Sequence, residues 1–321
     1  MPLATVDSGD PDLPLLRADN GTLQLTFLPS VGGRLLSIVA SGRELLWRNP
    51  DYFDADFRVV RRRSAWARLD GSFSSWANIG GSKTWPAPQG WAGEGEWAGP
   101  PDDVLDAGVW SIDVAESETG DMTVVMTSPE DQRSGLRITR RFEIPVAGAE
   151  FRQLITFTNV SDRPITWAIW EVCQVDTGSP DGRSAEGSVV VVPHVGEAVE
   201  LDLGTYEGEL GSKRRGHDVV LPLGTGVAKR GYPDASGSVE LHGPDGLEIG
   251  LATSPVEAAT WPDGGSKVEV WLQRPTAAPI ESLEGLHPSA HLVELEVLGP
   301  LTTLAPGATS TLDVEWSTAR L

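Results

Sequence analysis

The chain of 321 residues contains a single cysteine, Cys173. No disulfide can form within it, which excludes the stapled small domains typical of secreted proteins. Cations are also scarce: 25 Lys and Arg stand against 46 Asp and Glu, a formal net charge of −21. Nucleic-acid affinity rests on neutralising phosphates with Lys and Arg, so that partner is not expected. No apolar run approaches the roughly 18 residues of a membrane span, and no membrane partner is expected. The start, "MPLATVDSGDPDLPLL", lacks the basic region and apolar stretch of a signal peptide, which makes the cytoplasm the expected location. Sustained helical periodicity with caps is missing throughout. His194, His217, His242, His287 and His291 show no ligand spacing, and with no cysteine cluster beside them no metal is expected. There is no G-x-S-x-G elbow. "DPDL" and "DYFDAD" lack the spacing of a calcium loop, and the glycines at 31–33, 80–81 and 264–265 do not follow a nucleotide-binding pattern. No cofactor is implied.

What the chain does have is 36 Gly, 24 Pro and 12 Trp. Glycine and proline at this level without a short repeat indicate many turns. Between the turns lie short runs rich in β-branched residues, among them "GTLQLTFLP", "LRITRRFEIP", "EFRQLITFTNV", "ITWAIWEVCQV", "SKVEVWLQ" and "HLVELEVLG". Alternation is strict in Leu136–Ile144, where Leu136, Ile138, Arg140 and Phe142 share a face. A dozen or more such strands predict an all-β protein, a large antiparallel sandwich of two extended sheets with little helix. With no linker-like shift in composition and no internal repeat, one domain over residues 1–321 is expected, residues 1–12 forming a flexible N-terminal arm. Oligomeric state is not legible.

Four constellations could carry chemistry. The first is the aromatic region holding Trp66, Trp76, Trp85, Trp91, Trp97 and Trp110, with "NIGGSKTWPAPQGW" at its centre. A Gly/Pro-rich loop with this much indole either seals an end of the sandwich or offers the rings to a ligand. Indole faces suit the apolar faces of sugar rings, and Asn78, Lys83 and Gln89 would bond the hydroxyls. The second is "HLVELEVLGP", where alternation places Glu294 and Glu296 on one face. Two carboxylates in an apolar strand are costly unless wet or paired, and mutual repulsion separates their pKa values so that one can act as a general base. An edge strand with a solvated acidic face is the bland alternative. The third is "ITWAIWEVCQVD": Trp170 and Gln174 share one face, while Glu171 and Cys173 share the other, Glu171 as a salt-bridge candidate and Cys173 as a small core residue. The fourth, "TWPDGGSKVEVWLQ", puts Glu269, Trp271 and Gln273 on one face; a solvated face is the simpler reading, with Glu269 kept as a binding candidate.

The succession "LPSVGGRLLSIVASGRELLW", "NIGGSKTWPAPQGW", "TSPEDQRSGLRITRRFEI", "TNVSDRPITWAIWEVCQV" and "VELEVLGPLTTLAPG" resembles an uncharacterised domain family of the galactose-mutarotase-like superfamily, over about residues 20–318. The resemblance implies an antiparallel β-supersandwich with a sugar cleft on a concave face. Aldose 1-epimerases are more distantly similar. Their catalytic glutamate lies in a Leu-Glu strand followed by a proline four residues on and a later Pro-Gly turn, which here falls on Leu295-Glu296, Pro300 and Pro306-Gly307. The resemblance thus implies Glu296 as base. Both epimerase histidines are replaced: one position aligns with Trp170, after the turn "NVSDRP", and the other falls in Asn78-Ile79-Gly80-Gly81. Lys83 or Glu294 would then have to supply the proton.

The expected function is a carbohydrate-active protein that binds a sugar or sugar derivative in a concave cleft. An aldose 1-epimerase-like isomerase, a non-catalytic sugar-binding protein and a lyase or glycoside-cleaving enzyme on the same cleft all remain compatible with the residues. The expected catalytic residues are Glu296 and Glu294. The expected substrate contacts are Asn78, Lys83, Trp85, Gln89, Trp170, Gln174 and Glu269.

Overall fold

The computed structural model describes residues 3–70, 75–89, 97, 99–178, 186–244 and 246–318. Its strands build two antiparallel sheets, one of 12 strands and one of 10. Among the described residues the helical pieces include two 3-10 turns, Arg63–Ala65 and Glu281–Leu283, and no helix is long and apolar enough to cross a membrane.

The 12-stranded sheet runs from Leu3–Val6 through Leu15–Asp19, Leu23–Leu28, Arg34–Ala40 and Ser82–Ala87 to the long strand Ile165–Asp176. It continues through Leu292–Leu298, Val268–Gln273 and Gly226–Tyr232 to Leu201–Gly208. The second sheet has Leu136–Ile144, Glu150–Asn159 and Thr309–Thr318 near its middle. Within the first twelve residues, expected as an arm, Leu3–Val6 is a strand paired antiparallel with Leu15–Asp19. The reason is apolar: Leu3 packs on the main core and Val6 on a smaller cluster built from Leu13, Leu15, Phe53 and Phe57.

The main core lies between the sheets. In Leu136–Ile144 the alternation read from the sequence appears as alternating burial, and each fully buried aliphatic or aromatic side chain contributes about 1.5–3 kcal/mol. Arg140 falls on that buried face, fully inaccessible, and its guanidinium donates to Glu171 Oε1 at 2.8 Å. Glu171 also accepts from Ser82 Oγ, Thr84 Oγ1 and Gln153 Nε2. A buried carboxylate with that many donors is satisfied where an isolated one would be prohibitive. Burial raises the Glu171 pKa, and Arg140 with these donors opposes the rise. Cys173, on the same face, is fully buried, and burial pushes its thiol pKa up.

The strand Ile165–Asp176 is buried on both faces along most of its length. Trp167, Ile169, Glu171 and Cys173 look into the core, so Trp170, Val172 and Gln174 look the other way. That second face carries the site.

Candidate functional site

Five adjacent strands supply the floor: Ser82–Ala87, Ile165–Asp176, Leu292–Leu298, Val268–Gln273 and Gly226–Tyr232. Residues opposite one another in a ladder point to the same face, so the register decides which side chains meet. Lys83 lies opposite Val172 and Trp85 opposite Trp170. Val172 lies opposite Glu296 and Gln174 opposite Glu294. Glu296 then faces Glu269, Glu294 faces Trp271, and Trp271 faces Lys229. One face therefore gathers three carboxylates, two lysines and three indoles from strands up to 211 residues apart.

The first of these strands is held in place by glycine. Gly80 and Gly81 have φ of +92° and +78°. A Cβ on Gly80 would lie 2.1 Å from the Trp47 carbonyl oxygen, and one on Gly81 would lie 2.6 Å from that of Leu35. Only glycine allows the chain to pass this closely and enter the sheet. Arg34 ties the turn down, donating to the Gly80 carbonyl at 3.0 Å and pairing with Asp106 at 2.6 Å. Asp106 in turn accepts from Trp76 Nε1 at 2.8 Å.

Above the floor is a concave cavity of about 450 Å³, within the range of small-molecule sites. Trp76, Trp85 and Trp170 line one side, Tyr206 and Trp271 line another, and Asn78, Gln89, Gln174, Gln273, Lys229 and Glu294 add polar groups. Trp85 touches Trp76, Trp97 and Trp170, with ring centroids 6.2, 5.0 and 5.5 Å away. Tyr206 and Trp271 sit 5.7 Å apart. A rim segment from Ser282 to Leu286, together with Asp263 and Leu203, closes the lining.

The charges are arranged in two groups. Lys83 Nζ donates to Glu294 Oε1 at 3.2 Å, and Gln174 Nε2 donates to the same oxygen at 2.7 Å. The Lys83 ammonium also sits 4.5 Å from the centre of the Trp85 ring, a cation–π contact. Burial lowers the Lys83 pKa, and Glu294 opposes that shift. In the second group Lys229 Nζ lies 2.7 Å from Glu269 Oε2 and 3.1 Å from Glu296 Oε2, and 4.2 Å from the Trp170 ring centre. Trp170 Nε1 donates to Glu296 Oε2 at 2.6 Å. Burial disfavours the Lys229 charge, but Glu269 and Glu296 outweigh it and hold the ammonium protonated. Glu296 is fully buried, and its pKa is pushed up to about 8: burial dominates, Lys229 opposes, and the neighbouring carboxylates Glu269 and Glu294 add to the rise.

The sequence-derived candidates thus fall in two layers. Asn78, Trp85, Gln89, Trp170, Gln174 and Glu294 line the cavity. Lys83, Glu269 and Glu296 lie beneath it, at 1 %, 0 % and 0 % exposure. The solvated face expected around Glu269 is not found; it is covered by Lys229 and the neighbouring strands. Of the remaining tryptophans, Trp97 backs Trp85 in the core and Trp110 is buried against Gly33, whereas Trp66 packs on Tyr52 in the smaller cluster. Trp91 lies outside the described residues. Sequence reasoning missed Lys229, Tyr206 and the rim segment. Lys229 stands next to Arg230 in "GVAKRGY", a dipeptide that reads as a solvated pair; its signal was the alternation that puts it on the face of Val227 and Gly231.

No protein-family model and no curated protein matches this sequence. Solved structures do match. A protein from Klebsiella pneumoniae described as a putative aldose 1-epimerase superposes with a TM-score of 0.60 at 14% identity, over 95% of this chain and 79% of that one. A galactose mutarotase-like protein from Lactobacillus casei superposes with a TM-score of 0.57 at 12% identity, over 95% of this chain and 100% of that one. The fold is galactose mutarotase-like. A TPR-domain containing protein from Parabacteroides distasonis matches this chain over its whole length, with a TM-score of 0.59 at 12% identity; this chain spans 54% of it. The mutarotase-like sandwich therefore also occurs as part of a longer chain. At such identities the likeness is one of backbone architecture, and the site rests on this chain's own residues.

Proposed function

We propose that the protein is carbohydrate-active and binds a sugar or sugar derivative in the tryptophan-walled cavity. One observation carries this reading: a carboxylate, Glu294, sits on a cavity floor between Lys83 and Gln174, under walls of indole. Indole faces take the apolar faces of a pyranose ring, and the convergent amides and carboxylate take its hydroxyls. The single buried thiol fits a reducing compartment, and we place the protein in the cytoplasm.

In its catalytic form the reading is an aldose 1-epimerase-like isomerase. A carboxylate takes the proton of the C1 hydroxyl while a second group protonates the ring oxygen. The C1–O bond of the ring breaks, the aldehyde rotates about C1–C2, and closure on the other face returns both protons. Glu294 is the member of the glutamate pair that lines the cavity, and Glu296 holds Lys229 from below. Each acid–base contribution is worth roughly 10²–10⁴-fold. A non-catalytic binding role has its own support, because both lysines are already paired with carboxylates and Trp170 stands where the resemblance places an epimerase histidine.

Calorimetric titration with a panel of hexoses, followed by NMR exchange between anomers, separates these forms. Exchange catalysed by the wild type and lost in Glu294→Gln supports the isomerase. Binding without exchange supports the binding protein, and binding of no sugar at all overturns the proposal.

A further inference from the structure

The cavity is unbalanced in charge, and its floor at Glu294 and Gln174 is unbalanced in hydrogen bonding. Its floor, the layer beneath and the Ser282–Leu286 rim hold four glutamates, Glu269, Glu284, Glu294 and Glu296, against two ammonium groups, on Lys83 and Lys229. The two lysines are each matched by a carboxylate. Glu284 then remains as excess negative charge at the rim, even with a proton on Glu296. Glu284 is exposed, and its backbone has φ of +52°, the left-handed region that a residue with a side chain adopts at a cost.

The unmatched hydrogen-bonding atoms point the same way. Gln174 is 2 % exposed and lines the cavity, and its Oε1 has no partner among the described residues. The assignment of its two amide atoms is fixed, since Nε2 must face the Glu294 carboxylate. Glu294 accepts two bonds on Oε1, and no hydrogen bond among the described residues reaches Oε2. Glu296 Oε1, deeper down, is likewise unmatched. Among the fully buried lining atoms Trp85 Nε1 is an unmatched donor on the wall. At Glu294 and Gln174 the floor therefore offers convergent acceptors beside the excess negative charge. A phosphate or carboxylate on the ligand would bring acceptors and negative charge, the wrong kind on both counts. A hydroxyl can donate or accept and meets the site neutrally. An ammonium brings three donors, no acceptor and a positive charge.

We propose that the ligand of this cavity is a sugar bearing a protonated amino group, which Glu294 and Gln174 Oε1 receive while the rim carboxylate of Glu284 draws it in. This rests on the sugar-binding reading above and narrows it to a substrate class. A charge-assisted bond to a carboxylate is stronger than a neutral one by enough to give roughly tenfold or greater preference over the parent alcohol. Rim attraction adds a dependence on ionic strength that a neutral sugar lacks.

The test is calorimetric titration of the protein with glucosamine, galactosamine and mannosamine, with the parent hexoses, with the N-acetyl derivatives, and with glucose 6-phosphate. At least one amino sugar should bind roughly tenfold or more tighter than both its parent and its N-acetyl form. That preference should shrink as salt rises, and the phosphate should bind weakest. Glu294→Gln should lower the ratio of amino-sugar to parent affinity. Since this change leaves buried Lys83 without its carboxylate, Glu284→Gln at the exposed rim gives a second measure, a few-fold lower ratio with the fold undisturbed. Parent hexoses binding as tightly as their amino forms would overturn this inference and leave the sugar reading standing. Failure of every sugar in the panel would take down both.

Discussion

Replacing Glu296 by glutamine should make the protein relatively more stable as the pH rises, the opposite of what loss of a salt-bridged acid ordinarily does. In the folded protein the Glu296 pKa is pushed up to about 8, against 4.5 for a free glutamate. At neutral pH the folded state therefore keeps a proton that the unfolded state releases. A group raised in this way contributes its full stability below pH 4.5 and loses it progressively as pH climbs to about 8. At about 1.36 kcal/mol for each pH unit between those two values, the loss is on the order of 3–5 kcal/mol. The glutamine introduced by Glu296→Gln would not titrate, would still accept from Trp170 Nε1, and would leave Lys229 with Glu269 as its ion-pair partner. Other carboxyls raised by burial, such as Glu44, Asp102 and Glu171, are present in both proteins and cancel in the difference. Urea unfolding of wild type and Glu296→Gln at half-unit steps from about pH 5 to 8.5 reads that difference directly. The variant should gain on the wild type through the window, by up to about 1.36 kcal/mol per pH unit, and then level off. Curves that run parallel would refute the buried, protonated Glu296 and the layered arrangement built around it.

Lys229→Met leaves Glu269 and Glu296 without their shared cation, and breaking a buried pair from one side costs about 3–5 kcal/mol; urea midpoints at about pH 8 and pH 5 should show the larger loss at the higher pH, because Lys229 no longer opposes the raised pKa of Glu296. Trp85→Phe keeps an aromatic ring against Trp97 and Trp170 but removes the unmatched Nε1. It should weaken ligand binding by a few-fold to about tenfold, measured by titration, while destabilising less than the ~3–5 kcal/mol expected for Trp85→Ala. Gly80→Ala forces a side chain into left-handed backbone and against the Trp47 carbonyl; a loss beyond ~1–3 kcal/mol in denaturant unfolding is expected, and a neutral outcome would contradict the close approach.

Much of this was legible because a strand has a period of two. Alternation alone put Glu294 with Glu296, Trp170 with Gln174, and Glu171 on the opposite face, and each pairing reappears in the ladder. Alternation does not say which face is wet. Glu269 looked solvated because a carboxylate between valines usually is, and nothing local reveals that the strand Gly226–Tyr232 would lay Lys229 over it. Strand order is the missing information: Ser82–Ala87, Ile165–Asp176 and Leu292–Leu298 are neighbours in space and distant in sequence. The tryptophan loop was ambiguous for a related reason. Trp85 is at once a cavity wall and a core residue at 3 % exposure, so sealing the sandwich and facing the cavity are compatible roles for one indole.

The two layers beneath the cavity also bear on how such a site keeps its shape. Lys83 and Lys229 are each clamped between carboxylates and indole faces, so neither can swing toward a ligand without giving up both an ion pair and a cation–π contact. That cost holds the polar floor rigid, and a preorganised floor is what distinguishes stereoisomers that differ by one hydroxyl. The same clamping restrains both ammonium groups from acting as mobile proton donors. A catalytic role for this cavity therefore depends on a proton held elsewhere, and the group that burial supplies with one at neutral pH is Glu296. Its Oε2 already accepts from Trp170 and Lys229, while Oε1 has no partner among the described residues. Lys229 both contacts Glu296 and lines the cavity, so a proton that Lys229 gives to the ligand from where it stands would be replaced by the one on Glu296. If the protein is an isomerase, its activity should fall as pH rises through about 8 and Glu296 loses its proton. The falling limb should be absent in Glu296→Gln whatever activity remains. An activity that keeps climbing above about pH 8 in the wild type would exclude Glu296 as the proton source and leave the cavity a binding site.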